Sequence, residues 1–405
     1  MRDKLGPGTT LSYCTNVHAC ASINDIIASL TQDAAEVRRR VCPHDQLGIG
    51  LWIPAKPPRF GETIGTAVSL LRMSRRQSDR SLARLRAAFD DLGLAAVTCN
   101  AFPLYDFHQS VVKHTVYEPD WTSTYRAAHT SARVAILDQL NPDQHGCSVS
   151  TLPIGWRESR NADAERSEIA AFHLREAVRF LAKFSEDFGV DSTIDLEPEP
   201  GCILDTADDV IAFFDEHLPD EIHRKHIGVC HDICHAAVMF EDQREVLRRY
   251  AEAGIRVNKV QISSALDVDV HTIGYDAALE HLLDFVEPRY LHQTGFMKDG
   301  EFRLVEDLPD ALWRFAEDAS AGSTPDRLRV HFHVPIYLDR IGPLGTTNDQ
   351  IAEAIAAARE YHDTKHFEVE TYAWGVLPDD LKRDTLAEGI ADELKWVLNT
   401  CGHIT

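Results

Sequence analysis

Short apolar runs rich in β-branched and aromatic residues recur along the chain. Each ends in polar or Gly/Pro punctuation and is followed by a helical pattern. The runs are "LSYCTNVH" (11–18), "LGIGLWIP" (47–54), "AAVTCNAFP" (95–103), "CSVSTLPIGW" (147–156), "STIDLEPEPG" (192–201), "IGVCHDICH" (227–235), "VNKVQISSAL" (257–266) and "HFEVETYAW" (366–374). Between them apolar positions fall at helical spacing. Leu82, Leu85, Phe89 and Leu92 form one stripe, closed by Gly93; Leu174, Val178 and Leu181 form another, closed by Gly189. Thr206 followed by Asp209 predicts a helix start, and Ile351 and Ile355 follow Thr347 in the same way.

Alternating β and α units predict a parallel sheet with helices outside it, and eight such units predict a closed (β/α)8 TIM barrel, an α/β fold. Polar residues gather at the C-terminal ends of the runs: Asn16, His18, Asn100, Glu197, Glu199, Asp232, His235, Gln261 and Glu370. A barrel brings those ends to one mouth, whereas a doubly wound sheet would spread them along an edge. No G-x-G-x-x-G follows the first run. The chain has 405 residues, against about 250 for such a barrel. The excess is expected as an insertion over 267–350, before the last strand. It holds the hairpin "RYLHQTGFMKDGEFRLVE", turning at Asp299-Gly300, and a ninth strand-like run, "RVHFHVPIY" (329–337). With no repeat or linker in view, one elaborated domain over 1–405 is expected.

The formal net charge of −23 argues against a nucleic-acid partner, which needs a basic footprint. Arg72, Arg75, Arg76, Arg80, Arg84 and Arg86 read instead as the solvated face of an amphipathic helix. No apolar run approaches the ~20 residues of a membrane helix, and "MRDKLGPGTT" lacks the apolar core of a signal peptide. Nine scattered cysteines fit reduced thiols in a cytoplasm. The expectation is a cytoplasmic protein with a small-molecule substrate.

The stretch "IGVCHDICHAA" (227–237) packs cysteines, histidines and an aspartate behind an apolar run. Cys230 and Cys234 are spaced C-x3-C with no second pair, which fits neither a thiolate zinc site nor a redox motif. Oxygen and nitrogen ligands fit better: Asp232 ends the strand and His235 lies three residues on. Glu197 ends the fifth run ahead of Pro198 and Pro200. His331 and His333 are two apart in a strand pattern, as are Glu368 and Glu370, so each pair faces one side. Carboxylates and imidazoles are costly to bury unpaired, and a shared cation explains their convergence. The mixed set suits Zn2+, Mn2+ or Fe2+ better than Ca2+ or Mg2+. Blander roles exist: Glu199 as a cap or a paired group at the mouth, Glu368 as a partner of Lys365 or a helix-facing group, His18 and His108 as pocket lining.

"GVCHDICH", "LEPEPG" and "FEVETY" resemble the strand ends of the xylose isomerase-like barrel superfamily, which includes sugar-phosphate isomerases and epimerases and the endonuclease IV type. More narrowly, "LSYCTNVH", "CNAFPLYDFH", "VYEPDW", "STLPIGW", "LEPEPGC", "KVQISSAL", "EPRYLHQ" and "VHFHVPI" together resemble the metabolite traffic protein EboE family. The resemblance places Glu197, Asp232 and Glu370 on metal-ligand positions and His235 on the histidine of D-x-x-H. It likens His331 and His333 to the late pair that completes a multinuclear site in the endonuclease IV type. Gln261 stands where the superfamily often offers a ligand histidine, leaving His292, His331 or His333 to compensate. Glu197 and Glu370 would also be catalytic, and His18, Asn100, His108, Gln261 and His292 would bind substrate.

Three functions follow from this reading. The first is a metal-dependent sugar or polyol isomerase or epimerase; the second is a phosphoesterase of the endonuclease IV type on a small phosphorylated metabolite; the third is a non-catalytic carrier. An amidohydrolase ranks below them, because its H-x-H belongs on the first strand.

Overall fold

The structure, a computed structural model, describes residues 1–55, 80–141 and 146–402. Eight parallel strands close into a barrel: β1 (Thr10–Cys14), β2 (Leu47–Trp52), β3 (Leu94–Asn100), β4 (Ser148–Thr151), β5 (Thr193–Leu196), β6 (Ile227–Asp232), β7 (Val257–Ile262) and a last strand, His366–Val369. Six lie inside one of the eight apolar runs, and β1 and β3 start one residue before theirs. The expected (β/α)8 fold is therefore what forms, with β1 closing onto the last strand through Thr10↔His366 to Tyr13↔Val369. Outward positions such as Leu11, Ile49, Val149, Ile194, Val260 and Phe367 are fully buried under the helices.

The helix signals hold in most places. Leu85 and Phe89 are buried on the helix Arg80–Leu92, and Gly93 follows at φ 66°. Arg80, Arg84 and Arg86 are exposed on that helix; Arg72, Arg75 and Arg76 lie outside the described residues. Gly189 closes the helix Arg160–Phe188 at φ 69°, and the Thr206 side chain accepts from Asp209 N. Thr347 is the exception. The 3-10 turn Asn348–Gln350 intervenes before the helix Ile351–Tyr361, and the Thr347 hydroxyl accepts instead from Ala265 N at 2.9 Å.

Between β7 and the last barrel strand the chain builds a second sheet from β8 (Leu266–Asp269), β9 (Thr294–Lys298), β10 (Glu301–Val305), β11 (Arg327–Val330), β12 (Arg340–Ile341) and β13 (Leu344–Thr346); the closing barrel strand is then β14. The β9–β10 hairpin turns at Asp299 and Gly300, with φ of 50° and 82°. Those paired positive φ values are what a two-residue hairpin asks for. β11 is shorter than its sequence pattern: it stops at Val330, so His331 and His333 follow the strand rather than lie in it.

The inside of the barrel is polar where such barrels usually stack branched apolar side chains. Lys259 and Glu368, both fully buried, pair at 2.9 Å (Nζ to Oε1). Lys259 also reaches Ser150 Oγ at 3.3 Å, and Glu368 Oε2 accepts from the Thr98 and Ser12 hydroxyls. Glu368 is thus neither a partner of Lys365 nor helix-facing. Gly50 leaves it room, since a Cβ there would stand 1.9 Å from Glu368 Oε2. Among the described residues no helix is long and apolar enough to cross a membrane.

Candidate functional site

Asp232 closes β6 and caps the helix Ile233–Val238. Its Oδ1 accepts from His235 N at 2.9 Å and from Ser263 Oγ at 2.8 Å. The D-x-x-H spacing is therefore cap geometry: one oxygen holds the turn and the other, Oδ2, is buried with no partner. Potential ligand atoms of Glu197, Asp232 and Glu370 lie within 4.8 Å of one another, as do those of Asp232, His235 and His333, and those of Glu199, His235 and His331. Glu197 Oε2 and Glu199 Oε2 are likewise buried without partners.

The imidazoles are oriented by their other nitrogens. His235 Nδ1 donates to Pro198 O at 2.8 Å, and His333 Nδ1 to Glu370 O at 2.6 Å. His331 Nδ1 meets Gln293 Oε1 at 2.6 Å. The Gln293 amide nitrogen donates to Glu199 Oε1 and Pro200 O, so its oxygen accepts and His331 Nδ1 carries the proton. Each ring thus keeps a lone pair on Nε2, the tautomer a ligating histidine needs. His331 Nε2 and His333 Nε2 stand 3.2 Å apart, two lone pairs turned on each other. A shared proton or cation would relieve this contact, and burial, with His235 close by, pushes His331 well below its ordinary pKa. Burial also takes His333 down to about 4.

The carboxylates tell the same story. Burial, with the Asp232 charge nearby, raises Glu197 to about 7. Burial, with Glu197 and Asp232, pushes Glu370 well above the carboxylate range. Asp232 moves the other way: burial opposes its charge, but His235 and His333 outweigh it. Asp195, Glu197, Glu199, Asp232, Glu368 and Glu370 are all buried in or at the bore, and among the described residues Lys259 is their only fully buried lysine or arginine partner. Unpartnered carboxylate oxygens, bare imidazole nitrogens and excess buried negative charge fit one or two divalent cations of the zinc, manganese or iron class.

The remaining sequence-derived candidates divide. Asn100 lines the pocket at the mouth and donates to Glu370 Oε1 at 3.1 Å. His18, carried past the strand by the 3-10 turn Thr15–Val17, bonds Tyr13 Oη at 3.1 Å and faces Asp33 at 3.4 Å, away from the pocket. His108 donates to Asn16 O at 2.7 Å, so it holds a lining residue without lining the pocket itself. His292 sits behind the site, donating to His331 O at 2.8 Å and facing Glu287 at 2.8 Å. Gln261 is fully buried level with Asp232 and outside the pocket lining; neither of its amide atoms has a partner.

Several mouth residues play parts that the sequence reading did not assign. Asn16 donates to Glu370 Oε1 at 2.6 Å. Glu199, expected to cap or pair at the mouth, lines the pocket, where Tyr117 Oη (2.7 Å) and Gln293 Nε2 (3.0 Å) both donate to its Oε1. Cys234 is fully buried with its sulfur within 4.8 Å of ligand atoms of His331 and His333, closer than the C-x3-C argument implied. Cys230 is a buried strand residue as expected, and all nine cysteines are free.

This fold and site define a class. Residues 63–287 match the family described as Xylose isomerase-like TIM barrel, and the chain belongs to that family. It is similar to a xylose isomerase-like TIM barrel protein from Mycobacterium smegmatis solved in complex with magnesium, at 12% identity over 98% of this chain and 97% of that one, TM-score 0.51. The IOLI protein solved with a zinc atom aligns at 12% identity over 98% and 99%, TM-score 0.49. A D-allulose 3-epimerase from Methylomonas sp., in complex with D-allulose, aligns at 14% over 70% and 82%, TM-score 0.38. These likenesses are of fold. No curated protein matches the chain.

Proposed function

We propose that this protein is a metal-dependent isomerase or epimerase acting on a small metabolite with oxygens on adjacent carbons. Within its family we place it with the EboE group, on the motifs quoted above, as a cytoplasmic protein without a nucleic-acid partner. The observation that carries the reading is the buried triad Glu197, Asp232 and Glu370, with bare oxygens on Glu197 and Asp232. These three would hold one divalent transition metal. Asp232, His235 and His333, with His331 alongside, would hold a second, so the insertion 267–350 of a single domain would supply ligands to the barrel. When bound, the metal would fix two neighbouring substrate oxygens and stabilise negative charge developing on them.

The chain's own groups would do the rest. Glu197, holding the cation through its bare Oε2, would take the proton through its other oxygen from the hydroxyl-bearing carbon beside the carbonyl. Asn16 and Asn100 hold Glu370 by Oε1, orienting its other oxygen to return a proton. The histidine cluster favours a second reading, hydrolysis of a phosphoester at a two-metal site. The discriminating experiment incubates manganese-loaded protein in D2O with a panel of ketoses and hydroxyketones. Deuterium appearing at the carbon beside the carbonyl is the expected result. No exchange across the panel, with phosphate released from sugar phosphates, would transfer the assignment to the second reading.

A further inference from the structure

The floor and the walls of the pocket at the barrel mouth have opposite chemistry. Hydrogen-bonding groups lie at its base: Glu197, Glu199, His235, Glu370, Asn16 and Asn100. The walls include Phe102, Phe107, Val112, Val116 and Leu291, five side chains with no polar atom. Phe107 packs against Tyr290 and Tyr372, ring centroids 4.8 and 5.2 Å away, and Val112 N docks on Arg289 O at 2.7 Å. The wall is thus a built surface in which the segment carrying Phe102 to Val116 closes against the one carrying Arg289 to Leu291. Lys113 is the one lysine or arginine lining the pocket among the described residues, and its Nζ is held 2.5 Å from Asp307. Tyr117 turns its hydroxyl to Glu199.

We infer that the substrate is a neutral amphipathic molecule: a head with oxygens on adjacent carbons, seated on the polar floor, and an apolar ring-sized substituent held by the Phe102–Phe107–Val112–Val116–Leu291 wall. The inference rests on the metal-centred reading of the floor. A free hexose carries a hydroxyl on nearly every carbon, and those turned to this wall would lose water without gaining a partner. A phosphate would meet no free cationic side chain, only a lysine already paired. An aryl or branched-alkyl group buries apolar surface on both sides of the contact, and the few polar groups fix the head.

Calorimetric titration of manganese-loaded protein with 1-phenyl-1,2-ethanediol, 1,2-propanediol and glycerol 3-phosphate tests this. The phenyl diol should bind at least about tenfold tighter than the propanediol, the order expected for burying a phenyl-sized surface. Val116→Asn should remove most of that preference. Equal binding of the two diols, lost from both when the metal is stripped, overturns the inference and leaves the metal reading standing. Tightest binding of glycerol 3-phosphate, or no heat from any of the three at millimolar concentration, overturns it as well. A phenyl preference undiminished in metal-free protein supports the apolar wall and counts against the metal reading beneath it.

Discussion

Asp232→Asn should weaken metal binding by at least about 100-fold, since even groups that only orient a ligand contribute about 10–100-fold. Asp232 belongs both to the carboxylate triad and to the histidine set, and no protein donor hydrogen-bonds its Oδ2. An amide of the same shape would lose the negative charge and, with its oxygen retained at the cap, would aim N–H groups at the cation. The fold should not suffer, because asparagine caps a helix about as well as aspartate, so the bonds from His235 N and Ser263 Oγ persist. His333→Ala removes one neutral donor and should cost less, about tenfold. Competition with a chromophoric chelator gives both affinities, and the unfolding midpoints of the metal-free proteins should agree within a few degrees. Unchanged zinc affinity in Asp232→Asn would remove this residue from the centre.

Lys259→Met should destabilise the barrel by about 3–5 kcal/mol, the cost of stranding one member of a buried ion pair. Lys259 and Glu368 are both fully buried, and burial is outweighed by Glu368 in holding the ammonium charged, well above its usual pKa. Without Lys259, Glu368 would retain only the Thr98 and Ser12 hydroxyls. Lys259→Met with Glu368→Gln should regain most of the loss, because the amide can still accept from those hydroxyls and no charge is left behind. Urea unfolding midpoints at constant slope give the comparison. A single-variant cost below about 1 kcal/mol, or no recovery in the double variant, would show that the pair is not what holds this layer.

The eight barrel strands were legible because each reads as an apolar run, and their order follows from the alternation with helices. Asp232 and His235 were legible because cap spacing is local. The interior of the barrel was not. Lys259 and Glu368 look like ordinary polar positions on half-buried strands, and only the closure that sets β14 beside β7 makes them partners. His18 sits at a strand end in sequence, but the 3-10 turn Thr15–Val17 carries it toward Tyr13 and Asp33. The partners of Glu199, Tyr117 and Gln293, were not legible because they come from two distant segments. His331 and His333 were paired for an incomplete reason. The segment leaves the sheet after Val330, and the bonds of His331 to Gln293 and of His333 to Glu370 O bring the two Nε2 atoms to 3.2 Å.

The most direct test of the central claim is the metal content of the wild-type protein, purified without chelator and measured by elemental mass spectrometry against protein concentration. At least one zinc, manganese or iron per chain is predicted, with a second taken up on reconstitution. Protein that arrives metal-free and binds neither zinc nor manganese when they are supplied would contradict a cation at Glu197, Asp232 and Glu370.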